Sequence, residues 1–525
     1  MSKLQTKDVL PDELRFTIAV VCKAAMFNPP DDLRVPKQGG ELGDVVDWWQ
    51  RGGQVWLQDV CAHLAIDHQI LPPEPSILDA ESLTGPISHD DYHKITSSLL
   101  TATILPSPMA KEVANKQSAN TKASETVARA FGYTAASRAF LAQTLELLSI
   151  PMKVLLEVEK NLGQDLFEEL KEAEMKEKSE AARKEQEHGW GGKWGRWAAT
   201  GGGVILGGVA IGLTGGLAAP ALLPLLPFLT ASTAPIVLGS LFGVAGGGLA
   251  GNRVRKRWGG VERFEFEQIA GGNHESVAHE KVSYAVYQHK GNTSNEGEGT
   301  SENKDGGREG NSAPPSLVAT ICVPGIAIGS EDEGMYAYKD ALGTTLAKPS
   351  RDVFVLKHSP DGLALDNDWI RACDKAKKAG NLLSEVLKDK VQGERPLTLI
   401  GSSLGALALF KALTVLADSE ELTEPLIDSV FFISLPQVVS SREWAKVRRV
   451  VGRRIVNVYS SRDLVLASVG RLHEVFSGSG FGGMAGLNAV NIHGVEDIDM
   501  SEIVGGHFDI NGNMTKVLEI AGVNK

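Results

Sequence analysis

From Ala198 to Gly251 the chain runs for 54 residues without one charged side chain, and 14 of those residues are glycine. No other feature constrains the fold as strongly. The first part, AATGGGVILGGVAIGLTGGLAAPALLPLLPF, and the last, APIVLGSLFGVAGGGLAG, each approach the ~20 residues a helix needs to cross a ~30 Å hydrocarbon layer. The run therefore predicts an apolar helical hairpin of two crossings that turns near Pro224, Pro227 and Pro235. Gly203, Gly207, Gly208, Gly212 and Gly216 recur at near-helical spacing, which lets two helices approach closely where lipid supplies no hydrophobic drive. Trp190, Lys193, Trp194, Arg196 and Trp197 precede the run, and Arg253, Arg255, Lys256, Arg257 and Trp258 follow it. Tryptophan belongs at the membrane interface, and basic residues on both flanks place both ends on the cytoplasmic side. The alternative is a Gly/Ala-rich helix pair packed inside protein.

The remainder has enough apolar residues for a large core, 42% of a 525-residue chain, and the length suits two or three domains. Acidic residues outnumber basic ones by 65 to 53, so a general nucleic-acid partner is not expected. Cys22, Cys61, Cys322 and Cys373 stand far apart, without the spacing of a zinc site or a disulfide framework. They read as small hydrophobes in a reducing compartment. The first residues, MSKLQTKDVLPDEL, lack the basic, apolar and small-residue regions of a secretory signal.

Four segments follow from the patterning. Residues 1–150 carry apolar clusters at three- and four-residue steps, as in LRFTIAVVCKAAMF and VVDWWQRGGQVWLQDVCAHLAI, and predict an all-α domain; LPPEPS and ANKQSANTKASE read as loops. Residues 151–197 predict a helix leading to the membrane, its later part a solvated Glu/Lys surface with pairs such as Glu172 and Lys176. After the hairpin of 198–251, residues 252–525 alternate β-rich runs (VERFEFE, SLVATICV, DVFVLK, LTLIG, SVFFISL, RIVNVY, LNAVNIH) with helical patterns, the signature of an α/β domain around a parallel sheet. Residues 288–315 have almost nothing to bury and read as a disordered insertion.

Chemistry concentrates in Gly401-Ser402-Ser403-Leu404-Gly405, which follows one predicted strand and opens a helix. Strand, sharp turn and helix together make a nucleophile elbow, with Ser403 as the nucleophile; a Gly-rich turn that holds an anion is the plainer reading. A serine needs a base and an orienting acid, in the chain order Ser, Asp/Glu, His. Asp463, after RIVNVY, fits the acid, with Asp497, Asp499 and Asp509 as competitors. His507, in GGHFD, fits the base ahead of His493 and His473. The oxyanion hole is expected from the amide of Leu404 and from Gly325 or Ile326 in VPGIAIGS. No metal or organic cofactor is implied.

The Gly-rich run, the GSSLG elbow, SRDLVLA and the terminal GVEDIDMSEIVGGHFD together resemble the eukaryotic family of transmembrane and coiled-coil domain-containing protein four, over roughly residues 120 to 520. That resemblance implies a membrane-bound α/β-hydrolase fold and the same Ser403, Asp463 and His507. It also implies a link to Golgi and endosomal trafficking through clathrin adaptors, seen in yeast relatives. The long insertion before SLVATICV, and Ser402 where a bulkier residue is usual, depart from the family pattern. The expectation is a two-crossing membrane protein whose cytoplasmic serine hydrolase domain cleaves a lipid ester. The rival is a catalytically inactive hydrolase-fold adaptor or scaffold.

Overall fold

The computed structural model describes residues 10–36, 42–76, 87–104, 132–188, 264–270, 316–325, 332–346, 351–358, 366–390, 392–468 and 483–525, with Val237, Gly239, Leu241 and Phe242 between them. The expected hairpin of 198–251 lies outside the described residues apart from these four, and the expected insertion of 288–315 lies wholly outside them. No described helix is long and apolar enough to cross a membrane.

Helices α1 (Asp12–Phe27), α2 (Asp47–Leu64), α3 (His89–Ile104) and α4 (Ala135–Leu147) form the N-terminal layer. Their shared core is aromatic: Trp48, Trp49 and Trp56 all stack at angles on Phe140, with ring centroids 4.7–5.9 Å apart. Thr134 starts α4 through a reciprocal capping box with Ser137. The expectation of an all-α region needs correction, because β1 (Arg34–Pro36) and β2 (Leu42–Val45) pair as an antiparallel ribbon. These strands are too short to register as a periodic run. The expected loop LPPEPS is irregular in structure, whereas ANKQSANTKASE falls outside the described residues.

Helix α5 spans Met152–His188, and its first half is buried. Val154, Leu155, Val158, Leu162, Leu166 and Leu170 are buried in the same cluster as the N-terminal helices. That cluster continues into Leu317 and Val318, at the foot of the sheet.

Among the described residues the main sheet has seven strands, in the order β3-β5-β4-β6-β7-β8-β9. They are β3 (Phe264–Ala270), β4 (Ala319–Val323), β5 (Asp352–His358), β6 (Leu397–Ser402), β7 (Ile427–Ile433), β8 (Ile455–Tyr459) and β9 (Glu496–Asp499). Only β3 runs antiparallel, along the edge beside β5. Strands β4, β6 and β7 are buried at every residue, because helices cover both faces and no solvent side remains for an alternating pattern. On one face α7 (Asp366–Lys388) packs against α8 (Leu404–Ala417), so closely that a side chain at Gly380 would collide with the carbonyl of Ala408. Also on this face lies α9 (Ser441–Val450), whose Trp444 meets Phe410 and Phe432. On the other face are α6 (Glu333–Tyr338) with its π-helical continuation Lys339–Leu346, α10 (Asp509–Gly512) and α11 (Met514–Ala521).

The expected strand LNAVNIH is irregular, and the edge strand is the acidic Glu496–Asp499 that follows. The Asp497 carboxylate accepts the amides of Val490 and Asn491 at 2.9 and 2.8 Å, which holds the apolar run in a loop beside the sheet.

From β4 the chain steps outward to β5, then crosses back to β6 and proceeds to β7, β8 and β9. The direction of winding reverses between β4 and β6. Such a switch point leaves a crevice at the carboxyl ends of the strands, where no crossover helix can cover it.

Candidate active site

The residues at that crevice follow directly from the strand ends. Strand β6 delivers Ser403, and β4 delivers Pro324 and Gly325 beside it. Ser403 has φ 52° and ψ −123°, a conformation that costs a non-glycine residue about 1–3 kcal/mol. The surrounding structure enforces it: the Ser403 amide donates to Ile433 O at 2.8 Å, and its carbonyl accepts from Leu407 at 3.1 Å in the first turn of α8. The glycines of the elbow have steric reasons. A side chain at Gly401 would meet the backbone of Ala406 at 2.8 Å, and one at Gly405 would strike the carbonyls of Val323 and Pro324. Helix α8 can lie against the sheet only because both positions lack a β-carbon.

Three residues far apart in sequence meet here. Ser403 Oγ lies 2.7 Å from His507 Nε2, and His507 Nδ1 lies 2.6 Å from Asp463 Oδ2. All three are buried, at 4, 5 and 1% exposure. A carboxylate only accepts hydrogen bonds, so the proton on this imidazole sits on Nδ1, and Nε2 is left to accept from the serine hydroxyl. Asp463 is fixed independently of the histidine. Its Oδ1 accepts the amide of Leu466 at 2.9 Å, and its Oδ2 accepts Ser434 Oγ–H at 3.2 Å. This geometry is able to take a proton from Ser403 and hold the resulting imidazolium beside a buried carboxylate.

The other candidates lie elsewhere. His493 is in a loop rather than at a strand end, with Nε2 2.6 Å from Asp31 O, and His473 lies outside the described residues. Asp497 is occupied by Asn457 and the loop amides, Asp499 accepts from Ser501, and Asp509 opens α10.

The expected oxyanion donors divide. Leu404 is the first residue of α8, where a helix amide has no acceptor within the helix. The Gly325 amide, by contrast, donates to Ser402 Oγ at 3.2 Å and is engaged as the site stands. Ile326 lies outside the described residues.

Sequence reasoning missed several neighbours. His358, at the end of β5, is buried and donates Nε2–H to Pro324 O at 3.0 Å; burial pushes its pKa down to about 4, against the opposing pull of that bond. It is therefore a neutral donor at physiological pH that pins the residue before Gly325. Nothing in a lone histidine marks this role except its place at a strand terminus beside VPG. The Tyr338 hydroxyl sits beside Ser402, and burial raises its pKa. Glu333 on α6 lines the site and accepts Asn511 Nδ2–H at 3.1 Å. The free space against Ser403 is about 10 Å³, room for a single water, and Phe508 at its rim is 44% exposed. Among the described residues no cluster of three or more His, Cys, Asp or Glu is placed to hold a metal. All four cysteines are free thiols.

Comparison with known proteins places this geometry in context. The family described as protein of unknown function (DUF726) matches residues 192–296 and 355–524, just over half of the chain. A rice protein, "Transmembrane and coiled-coil domain-containing protein STS1", is 28% identical over 86% of this chain and 72% of its own length. "Probable lipase MIL1" of Saccharomyces cerevisiae is 34% identical over 31% of this chain and 15% of its own. "Uncharacterized membrane protein F35D11.3" of Caenorhabditis elegans is 28% identical over 55% of this chain and 46% of its own. The chain thus spans less than half the length of the yeast and nematode relatives. No solved structure matches it.

Proposed function

The chain belongs to the DUF726 family, and from that premise we propose that it is a membrane-associated serine hydrolase with an α/β-hydrolase fold, cleaving an ester of a lipid. One observation carries this reading: the continuous hydrogen-bonded path from Ser403 through His507 to Asp463, at 2.7 and 2.6 Å, on a strained elbow at the switch point of the sheet. Similarity to a yeast protein named a probable lipase supports the ester as substrate, and relatives named as membrane proteins support the bilayer as its source. The proposed division of the chain is a helical region to residue 150, a charged helix to 197, the apolar hairpin of 198–251 as anchor and the hydrolase domain from 252 onward, on the cytoplasmic side of a Golgi, endosomal or endoplasmic reticulum membrane.

In this mechanism Ser403 Oγ attacks the ester carbonyl while His507 Nε2 takes its proton. Asp463 holds the imidazole by Nδ1–H and stabilises the imidazolium without itself being protonated. The oxyanion of the tetrahedral intermediate is met by the Leu404 amide and by an amide of the loop after β4, which His358 and Ser402 hold in place. Collapse expels the alcohol, which receives its proton from His507. Water, activated by the same histidine, then releases the acid from Ser403.

The test is turnover of a panel of glycerolipid and phospholipid esters by the purified full-length protein and by Ser403→Ala. Release of acid from at least one ester by the wild type alone supports the reading. No release from any of them, or equal release by both proteins, contradicts it.

A further inference from the structure

Among the described residues, six that are not glycine have a positive φ. Ala65, Ser149 and Lys390 follow the ends of helices, where this conformation commonly terminates a helix, and Asn491 is of a residue type that adopts it readily. The other two stand side by side. Ser402 of β6 is in register with Ile433 of β7, so Ser403 at φ 52° and Ser434 at φ 50° are each the first residue past adjacent strands. The strain at Ser403 belongs to the elbow. Ser434 opens no helix, and a glycine would adopt its conformation without penalty.

The backbone around Ser434 enforces that conformation. Its amide donates to Val458 O at 2.9 Å, and the carbonyl of Leu435 accepts the amide of Gly486 at 2.9 Å. Residue 486 packs so closely here that a side chain would stand 2.6 Å from the carbonyl carbon of Ser434. The carbonyl of Gly486 accepts the Ser460 amide at 3.1 Å, at the start of the turn that carries Asp463. The ends of β7 and β8 are thereby locked together. What the strained position presents is a hydroxyl. Ser434 is 0% exposed, and its Oγ–H donates at 3.2 Å to Asp463 Oδ2, the same oxygen that faces His507 Nδ1 at 2.6 Å. Backbone strain of this kind persists where the surroundings over-determine it, and it gathers at functional sites.

We propose that Ser434 is a positioning residue for ester cleavage, acting on the nucleophile through Asp463 and His507; this rests on the reading of Ser403 given above. Together with the Leu466 amide on Oδ1, its hydroxyl fixes the plane of the carboxylate so that Oδ2 points at Nδ1. A hydrogen bond donated to a carboxylate also favours its charged form. Asp463 therefore stays ionised while His507 carries the proton taken from Ser403.

The experiment is the rate of labelling of the full-length protein by a small fluorophosphonate, followed as a function of probe concentration. In Ser434→Ala the maximal rate is expected to fall about tenfold, the worth of one hydrogen bond to a charged group, with the half-saturating concentration unchanged. Ser434→Gly also lacks the hydroxyl but carries no strain, and is expected to slow equally. In an Asp463→Ala background the Ser434→Ala change is expected to cost nothing further, because the two residues act as one unit. A wild-type rate in Ser434→Ala, a wild-type rate in Ser434→Gly, or an undiminished loss in the Asp463→Ala background overturns the proposal. If Ser434→Ala does not fold, Ser434→Gly, which relieves the backbone, decides the matter. A wild type that takes up no probe removes Ser403 as the nucleophile and this proposal with it, whereas the preceding outcomes leave Ser403 standing.

Discussion

A methyl group on the α-carbon of Gly325 would stand 2.5 Å from the β-carbon of Ser403 and 2.6 Å from the carbonyl of Ser402. Real side chains do not approach so closely, so the loop after β4 and the elbow after β6 occupy their positions only while residue 325 is glycine. Gly325→Ala is expected to retain a folded protein, because the collision is confined to the crevice, and to reduce kcat for ester cleavage by at least about 100-fold, since a misplacement of about 1 Å costs that much. Ester kinetics beside a circular dichroism spectrum checks this, and near-normal kcat would show that the two loops yield easily.

The backbone strain at Ser403 is open to a paired comparison. Ser403→Ala and Ser403→Gly both remove the hydroxyl, but only glycine adopts φ 52°, ψ −123° without penalty. Chemical denaturation is expected to find the glycine variant more stable than the alanine variant by about 1 kcal/mol, although glycine elsewhere loosens a chain. The reverse order would mean that the elbow is unstrained.

Asp463 sets the tautomer of His507 through the 2.6 Å contact at Nδ1. In Asp463→Asn an amide is able to donate to that nitrogen, which turns the proton to Nε2 and removes the acceptor for Ser403. The expected loss in kcat is on the order of 10⁴-fold with little change in fold. A loss below about tenfold would assign the orienting role to another carboxylate.

His358 predicts a pH dependence of stability that is separate from catalysis. Its pKa is about 4 in the folded chain, below the ordinary 6.5. A depressed pKa contributes stability that is fully present above pH 6.5 and is lost as the pH falls toward 4, to the extent of about 3 kcal/mol. His358→Gln keeps a donor for Pro324 O without a titrating group. The stability difference between wild type and His358→Gln should therefore narrow as the pH is lowered through this window; parallel curves would mean that His358 titrates normally.

The residues of the elbow were legible because sterics confine glycine to Gly401 and Gly405 when a helix must lie on a strand end. Asp463 and His507 were legible because chain order follows the winding of the sheet. His358 and the Gly325–Ser402 bond were not, since both depend on which strand termini become neighbours, a property of topology and not of local pattern. The antiparallel ribbon β1–β2 was too short to show a period, and LNAVNIH was read as a strand because its apolar residues belong to a loop packed under Asp497.

In the proposed mechanism Ser403 is an activated nucleophile, a property that covalent labelling reads out. The full-length protein is treated with a small fluorophosphonate, which needs a serine whose proton is taken up by a base, and the adduct is mapped by peptide mass. One adduct, on Ser403, is expected in the wild type and none in Ser403→Ala. An unlabelled wild type, or labelling that persists in Ser403→Ala, would contradict it.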